Sequence, residues 1–313
     1  MISIIICTYN RSAILKKALA SLRDLQPVTG QDYEIIVVDN NSQDDTRRET
    51  EALMPLFGGK LKYTFEPCLG VSAARNKGIR ESAGDFVAFI DDDCIVDKDW
   101  LAQLYDTLQR QDADMAGGKI LPLFPDDAPA WARQEDIKDK FSLLDRGDKE
   151  FRVLSLRDEL YGGNLVARKS ALLEVGGFDV NFGSIGTSVM LFGDEKEVVC
   201  RFLMLGKVVY YQPKAVVYHQ VRRDKLSKAF CLRKAFADGR IFVRMKRKHG
   251  RAAFAALPPR FTSVFHASGY SLSWLAGILR AAALHREGEL LQKQLQIAYL
   301  CGIGYEFLRR KSN

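Results

Sequence analysis

Residues 85–93 have the sequence Asp-Phe-Val-Ala-Phe-Ile-Asp-Asp-Asp, in which an apolar run ends in three adjacent carboxylates. A short, nearly continuous apolar run is typical of a strand covered on both faces. Neighbouring carboxylates repel each other at neutral pH and need a counter-charge, and oxygen ligands suit Mg²⁺ or Mn²⁺. A solvated turn that caps the following helix is the alternative interpretation. The stretch therefore predicts a buried strand whose acidic tip is a candidate cation site.

The segments around this strand alternate short apolar runs with longer helical patterns. Strands are predicted at 2–7, 34–38, 61–65 and 86–90, and helices between them at 12–25, 45–56 and 71–82. This alternation favours an α/β fold with a doubly wound, mostly parallel, Rossmann-like sheet. Such sheets bind ligands at the carboxyl ends of their strands, so we expect the functional residues there.

Two other segments of this half carry side chains suited to a nucleotide. Asp39 follows the second predicted strand, where its carboxylate can accept a hydrogen bond from a nucleobase ring N–H. A strand-to-helix turn that uses polar side chains for capping is the alternative. Gly70 precedes a helix whose first turns carry Arg75 and Lys77, and this arrangement can hold phosphate. A tight helix–sheet contact with surface charges is the alternative there.

The second half of the chain adds an acidic pair and a histidine. Asp194 and Glu195 begin an apolar helix, and a carboxylate that faces a pocket can take a proton from a hydroxyl. Acidic residues also suit a helix start by the dipole alone. His219 follows predicted strands at 208–211 and 215–218 and can ligate a metal or contact a phosphate, although a lone histidine is more often structural.

The net charge of +7 over 313 residues is unevenly distributed. Residues 222–313 carry 19 Lys and Arg against 5 Asp and Glu, whereas residues 1–221 carry 27 against 34. The split predicts an acidic body with a basic helical C-terminal region. Residues 222–251 interleave basic and apolar side chains, which suits an amphipathic helix on an anionic membrane surface. A helical lid or dimer element is the alternative, and no nucleic-acid partner is expected.

Cellular location is predicted from what the sequence lacks. The N-terminal apolar run is too short for a secretory signal, and no apolar stretch reaches about 18 residues. The apolar segment 268–279 predicts a buried or interfacial helix rather than a span. Six cysteines without a CxxC pair argue against a zinc knuckle or a disulfide framework. We expect a cytoplasmic protein, with the inner face of the cell membrane as a candidate site of peripheral association.

Taken together and in this order, the motifs resemble those of the family-2 glycosyltransferases of the GT-A fold. The similarity covers about residues 1–221, and the joint order of the motifs is specific where each motif alone is weak. It rests on Cys7-Thr8-Tyr9-Asn10-Arg11, Val38-Asp39-Asn40-Asn41-Ser42-Gln43-Asp44, Gly70-Val71-Ser72-Ala73-Ala74-Arg75-Asn76, Phe89-Ile90-Asp91-Asp92-Asp93, Gly163-Asn164-Leu165-Val166-Ala167-Arg168-Lys169, Val175-Gly176-Gly177-Phe178-Asp179 and the acidic cluster at 194–197.

The resemblance implies a GT-A glycosyltransferase domain at 1–221, with a nucleotide-binding half at 1–120 and an acceptor-binding half at 121–221. A basic helical region at 222–313 follows it. The implied activity is metal-dependent transfer of a sugar from a nucleotide-diphospho-sugar to a saccharide or lipid-linked saccharide, by an inverting single displacement. The implied cofactor is Mg²⁺ or Mn²⁺. A nucleotidyltransferase and a non-catalytic sugar-nucleotide-binding protein are the alternatives.

The resemblance also assigns roles to individual residues. The implied nucleotide pocket is lined by Thr8, Asn10, Asp39 and Arg75, with Asp91 and Asp92 near the ribose and base. Asp93 is the implied metal ligand, and His219 is the second candidate ligand. The family's base is the second residue of an acidic pair, commonly Glu-Asp; here the order is Asp194-Glu195, which favours Glu195 and keeps Asp194 as the alternative. Acceptor contacts are expected in 121–160 and 180–193.

Overall fold

The sheet at the centre of the molecule explains where the predicted residues lie. A computed structural model describes residues 1–158, 160–184, 191–250 and 287–308. The strands of these residues form one sheet in the order β3-β2-β1-β4-β8-β6-β9-β5, and β7 pairs with β9. They are β1 Ile2–Thr8, β2 Tyr33–Asp39, β3 Leu61–Phe65, β4 Phe86–Asp91, β5 Cys94–Val96, β6 Met115–Leu123, β7 Phe151–Arg152, β8 Asn164–Arg168 and β9 Val209–Gln220.

The helices cover the sheet and extend beyond it at the C-terminus. They are α1 Ser12–Leu22, α2 Thr46–Leu53, α3 Val71–Glu81, α4 Trp100–Arg110, α5 Lys169–Glu174, α6 Asp194–Met204, α7 Lys228–His249 and α8 Glu287–Leu308. The predicted helix at 12–25 ends three residues early, and the one at 45–56 ends in a 3₁₀ turn at Met54–Phe57. Asp44 explains both helix starts, because its carboxylate accepts the N–H of Ser12 at 3.0 Å and of Thr46 at 3.1 Å.

The N-terminal half of the sheet is parallel, as the alternating pattern predicts. Strands β3, β2, β1 and β4 pair in parallel, and their register places Thr8 opposite Asp39 and Cys7 opposite Asp91. Beyond β4 the sheet is mixed, since β8 runs antiparallel to both β4 and β6 while β6 and β9 are parallel. The predicted α/β architecture is therefore confirmed, and the acidic tip of β4 lies beside the tips of β1 and β2.

The two strands predicted at 208–211 and 215–218 are a single strand, β9. Its pairing with β6 shifts register between Gly118 and Lys119. Asn164 bridges the irregularity, because its side-chain amide donates to the Lys119 and Ala215 carbonyls at 2.8 Å each. A Cβ on Gly118 would overlap the Ala215 carbonyl, so glycine is required there. The continuous strand carries His219 to the edge where β4 ends, with His219 opposite Cys94.

The C-terminal helices α7 and α8 pack on the body and on each other. Helices α7 and α8 cross closely, because a Cβ on Gly239 or on Gly302 would overlap the backbone of the other helix. Phe230, Ile241 and Met245 of α7 are buried, so the apolar side of the predicted amphipathic helix faces the protein. No described helix is long and apolar enough to cross a membrane. The predicted segment 268–279 lies outside the described residues, and the boundary at 221 stays a prediction.

Candidate active site

The tips of the first two strands are joined by a network of short polar side chains. Asp39 is 2% exposed, and its carboxylate accepts the Ser42 N–H and the Tyr63 hydroxyl, both at 2.8 Å. Asn10 adopts a left-handed backbone conformation (φ 52°), and its Oδ1 accepts the Gln43 N–H at 2.6 Å. Each Asp39 oxygen retains a second lone pair, so the carboxylate can accept a further N–H.

The buried Arg75 gathers three carboxylates, and together the four residues form the Arg75 cluster. Arg75 forms a short ion pair with Asp194, lies 3.3 Å from Asp91 Oδ1 and lies 3.9 Å from Glu195 Oε2. Arg75 is 5% exposed, and its guanidinium stacks on the Phe178 ring at 5.2 Å from the ring centroid. Asp194 is 119 residues from Arg75 in the sequence, so the fold brings the acidic pair of α6 to the tip of β4.

Small residues make room for the Arg75 cluster. Gly78 allows α3 to approach the sheet, because a Cβ there would come within 2.5 Å of Ile5 Cγ2. A Cβ on Gly162 would overlap the Arg75 guanidinium, and one on Gly163 would lie 2.8 Å from Asp91 Oδ2. A side chain at Gly162 or Gly163 is therefore incompatible with the observed positions of Arg75 and Asp91.

The two members of the acidic pair have different environments. Asp194 is 3% exposed and is neutralised by Arg75. The Glu195 side chain is 17% exposed. Burial and the neighbouring Asp194 carboxylate raise the pKa of Glu195 to about 8, against the opposing effect of Arg75. Glu195 therefore has the proton affinity of a base that works near neutral pH.

The second group of charges, the Asp93 cluster, comprises Asp92, Asp93, Arg11, His219 and Lys225. Asp92 accepts the Thr8 hydroxyl and an Arg11 N–H, both at 2.8 Å. Asp93 lies 3.1 Å from Lys225 Nζ, 3.3 Å from His219 Nε2 and 3.6 Å from Arg11 Nη1. Burial alone would raise the pKa of Asp93, but Lys225, His219 and Arg11 hold it well below its usual range. The carboxylate is therefore kept ionised although it is buried.

Asp93 and His219 have donor atoms that fit a divalent cation. Octahedral Mg²⁺ with bonds of about 2.1 Å holds neighbouring ligands about 3 Å apart, and Asp93 Oδ1 lies 3.3 Å from His219 Nε2. No group of three or more His, Cys, Asp or Glu side chains among the described residues has the geometry to hold a metal ion. Two protein ligands suit a cation that takes its other ligands from substrate phosphates and water.

The end of β9 adds polar atoms that lack partners. His219 Nδ1, Gln220 Nε2 and Arg222 Nε are buried and have no hydrogen-bond partner among the described residues. Leaving a buried polar atom unpaired costs about 1–3 kcal/mol, so such atoms commonly mark a place where a ligand or water binds.

The structure brings most of the predicted site residues to one edge of the sheet. Asp91, Asp194 and Glu195 meet around Arg75, while Asp93 meets His219, and Thr8 contacts Asp92. Asn10 contacts Ser42 and Gln43 of the loop that follows β2, and Asp39 accepts from Ser42 of that same loop. Lys77, whose position suggested phosphate binding, pairs with Glu81 at 2.7 Å.

Sequence reasoning missed three residues of the site. Tyr63 and Lys225 lie in segments without a recognisable motif, and their roles depend on contacts with Asp39 and Asp93. Arg11 belongs to the first motif, which assigns it no role, but it donates to Asp92. Its position directly after the tip of β1 was the one available signal.

Comparisons with known proteins agree with this geometry. The model of the family described as "Glycosyl transferase family 2" matches residues 3–176. The chain is 27% identical over 251 residues to the succinoglycan biosynthesis protein ExoM of Rhizobium meliloti (strain 1021), covering 80% of this chain and 77% of that protein. It is 28% identical over 232 residues to the glucosyl-dolichyl phosphate glucuronosyltransferase of Haloferax volcanii, covering 70% and 69%.

The same architecture occurs in a solved structure. The mannosyltransferase PcManGT from Pyrobaculum calidifontis, in complex with GDP-Man and Mn²⁺, superimposes with a TM-score of 0.64 at 18% identity. The match covers 98% of this chain and 86% of that chain. The predicted GT-A fold with C-terminal helices is thereby confirmed.

Proposed function

This chain belongs to glycosyltransferase family 2, and we propose that it transfers a sugar from a nucleotide-diphospho-sugar to an acceptor hydroxyl with the help of Mg²⁺ or Mn²⁺. The observation that carries the proposal is that Asp93, His219 and Glu195 lie on one edge of the sheet together with the strand tips. The reaction needs a stabilised diphosphate leaving group and a base for the acceptor. The Asp93 cluster supplies residues for the leaving group, and the Arg75 cluster supplies the base.

Glu195 is the proposed base. It takes the proton of the acceptor hydroxyl while the hydroxyl oxygen attacks the anomeric carbon of the donor sugar. The bond between that carbon and the diphosphate oxygen breaks, and the nucleoside diphosphate leaves with the electron pair. One such displacement inverts the anomeric centre. Asp194 suits this role less well, because it is buried and already paired with Arg75.

Asp93 and His219 are the residues that would hold the divalent cation. When bound, the cation neutralises negative charge that develops on the diphosphate leaving group. The Asp39 carboxylate has lone pairs that can accept a nucleobase N–H, and Asp91 and Asp92 are proposed to lie near the ribose and the base. Thr8 and Asn10 position these carboxylates and loops through the hydrogen bonds described above. Arg75 is the other residue proposed for the nucleotide pocket, and it holds Asp91 and Asp194 by ion pairs.

The proposed acceptor is a saccharide or a lipid-linked saccharide. One relative carries succinoglycan biosynthesis in its name, and another is named for glucosyl-dolichyl phosphate, so both classes occur among similar proteins. Acceptor contacts are proposed for 121–160 and 180–193, of which 159 and 185–190 lie outside the described residues.

A binding panel tests the donor site. UDP, GDP, dTDP and CMP are added separately, with and without Mn²⁺, and the melting temperature is recorded. A nucleotide at 100 times its dissociation constant adds about 2.7 kcal/mol to the free energy of unfolding. We expect one nucleoside diphosphate to raise the melting temperature in an Mn²⁺-dependent way, and Asp93→Asn to abolish that dependence. Stabilisation by nucleoside triphosphates alone would favour a nucleotidyltransferase instead.

A pair of variants tests the base. Glu195→Gln should lower kcat for transfer by about 10²–10⁴ while nucleotide binding is retained and the variant is at least as stable as the unmodified protein at pH 7. Asp194→Asn leaves Arg75 without its main partner, so it should lower the free energy of unfolding by about 3–5 kcal/mol. If Asp194→Asn is stable and inactive while Glu195→Gln is active, Asp194 is the base. Nucleotide binding without transfer in the unmodified protein would indicate a non-catalytic binding protein.

We also propose that an anionic membrane surface is a partner of 222–251. The apolar side of α7 is used inside the protein, so the contact would go through exposed charges such as Arg233 and Arg247. Flotation with phosphatidylglycerol vesicles, compared with phosphatidylcholine vesicles, measures this contact. Equal flotation with both would contradict the proposal.

A further inference from the structure

Lys225 lies between the two candidate cation ligands. Its Nζ is 3.1 Å from Asp93 Oδ2 and 3.4 Å from His219 Nε2. The side chain is 16% exposed, whereas those of Asp93 and His219 are 3% and 4% exposed. One ammonium group therefore contacts both of the side chains that would hold a divalent cation.

The chemistry of the ammonium group determines how Lys225 affects a metal ion at Asp93 and His219. An ammonium group only donates hydrogen bonds, so Lys225 donates to the Asp93 carboxylate and places a positive charge beside Nε2 of His219. A metal ion held here needs a carboxylate oxygen of Asp93 and a lone pair on a His219 ring nitrogen. Lys225 thus engages the donor atoms that a metal ion would use, and two positive charges a few ångströms apart repel each other strongly in a buried site.

We propose that Lys225 is a tethered counter-cation, whose ammonium takes the place of the divalent cation in the free protein and withdraws when that cation binds. The inference rests on the proposed function, in which Asp93 and His219 hold the cation. It assigns to Lys225 a negative effect on cation binding in the absence of a nucleotide, and this effect is larger than that of Arg11, whose Nη1 lies 3.6 Å from Asp93.

The backbone around Lys225 allows such an exchange by the side chain alone. Lys225 ends the 3₁₀ turn Arg223–Lys225, and its N–H donates to the Arg222 carbonyl at 3.0 Å. Its own carbonyl accepts the Ser227 N–H at 2.8 Å, and Ser227 caps α7. The main chain is therefore held on both sides, and the withdrawn ammonium stays close to the cation site.

The diphosphate of the donor is the anion that a withdrawn ammonium would meet. A divalent cation held by Asp93 and His219 would have coordination positions left for phosphate oxygens, which would bring those oxygens within reach of a lysine anchored at the same site. Lys225 is therefore expected to weaken cation binding alone and to strengthen nucleotide binding once the cation is present. Cation and nucleotide then bind more tightly together than either does alone.

Arg223 provides a matched control. It belongs to the same turn and carries the same charge, but it is exposed and pairs with Asp127 at 3.1 Å on the surface. Arg223→Met and Lys225→Met therefore change the net charge equally, while only Lys225→Met removes the ammonium from Asp93 and His219.

Mn²⁺ binding to the full chain without nucleotide tests the proposal, with the free-ion signal in electron paramagnetic resonance as the readout. Lys225→Met should bind Mn²⁺ at least tenfold more tightly than the unmodified protein, and Arg223→Met should bind it equally. With Mn²⁺ saturating, Lys225→Met should bind the nucleoside diphosphate selected by the melting panel about tenfold more weakly. Lys225→Gln serves as a second variant if Lys225→Met fails to fold.

Two different failures are distinguishable. If Lys225→Met and Arg223→Met bind Mn²⁺ alike while Asp93→Asn abolishes binding, the counter-cation role is overturned and the proposed cation site stands. If no variant binds Mn²⁺, even with nucleoside diphosphate, the assignment of Asp93 and His219 is overturned as well.

Discussion

The Arg75 cluster and the Asp93 cluster lie on the same sheet edge, but their negative charges are balanced in different ways. Arg75 is 5% exposed, comes from a helix packed on the sheet, and is enclosed by Gly162 and Phe178. Arg11 and Lys225 come from turns, and their side chains are 33% and 16% exposed. The carboxylates of the Arg75 cluster are neutralised by a buried guanidinium. Those of the Asp93 cluster are neutralised by side chains that can move into solvent.

This difference separates a structural role from a binding role. A buried guanidinium cannot leave its carboxylates without uncovering them, and an uncompensated buried charge costs several kcal/mol. Cations on surface turns lose less when a ligand replaces them, because water solvates them afterwards. We infer that the Arg75 cluster keeps Glu195 in place while the Asp93 cluster exchanges its cations during the reaction.

The largest expected effect compares the two arginines. Arg75→Met should lower the free energy of unfolding by about 3–5 kcal/mol, because it strands the buried Asp194 carboxylate. Arg11→Met should lower it by less, about 1–3 kcal/mol, because the buried Asp92 loses the guanidinium but keeps the Thr8 hydroxyl at 2.8 Å. Urea unfolding at pH 7 measures both. Equal losses in the two variants would remove the distinction between the clusters.

The raised pKa of Glu195 makes the free energy of unfolding depend on pH. Burial and Asp194 raise its pKa to about 8 in the folded protein, so the folded state binds this proton more tightly than the unfolded state does. The group's contribution to stability is therefore complete below about pH 4.5 and is lost as the pH rises to about 8. Between pH 5 and 8 the free energy of unfolding should fall by about 2–4 kcal/mol more in the unmodified protein than in Glu195→Gln.

Urea unfolding across that pH range measures the difference. Glu81→Gln is the control, because Glu81 is exposed and lies outside both clusters, and it should leave the pH dependence unchanged. The kcat/KM for the acceptor should also rise with pH through the same range, since the base must lose its proton. A pH-independent kcat/KM would argue against Glu195 as the base.

The parallel half of the sheet was predictable because its signals are local. Apolar runs such as 86–90 contain the whole pattern of a buried strand, and polar residues directly after them mark the carboxyl ends. The prediction failed where a long-range contact overrides the pattern. Residues 212–214 interrupt the apolar run of β9, yet the strand continues because Asn164 bridges the register shift.

The candidate site shows the same limit. Asp91, Asp93 and Glu195 were predictable as acidic residues at element ends, but their counter-charges were not. The pairs Arg75–Asp194 and Lys225–Asp93 span 119 and 132 residues. No local pattern encodes which cation neutralises which carboxylate, so the division into two clusters needs the three-dimensional structure.

The third prediction tests how tightly the Arg75 cluster is enclosed. Gly162→Ala should lower the free energy of unfolding by about 1–3 kcal/mol, because the added methyl group overlaps the Arg75 guanidinium. Gly304→Ala is the control, since a methyl group there meets no atom within 4 Å and alanine favours a helix. Thermal unfolding compares the two. Equal stabilities would mean that Arg75 has room to shift, which contradicts its proposed fixed position.

The smallest expected effect lies within the Asp93 cluster. Arg11 Nη1 is 3.6 Å from Asp93 and 2.8 Å from Asp92, so it binds the neighbour of the cation ligand more closely than the ligand itself. Arg11→Met should therefore tighten Mn²⁺ binding without nucleotide by about two- to fivefold, which corresponds to less than about 1 kcal/mol. Titration followed by electron paramagnetic resonance measures it beside Lys225→Met. If Arg11→Met has the larger effect, the exchangeable counter-charge is the guanidinium at the tip of β1, and Lys225 is only its neighbour.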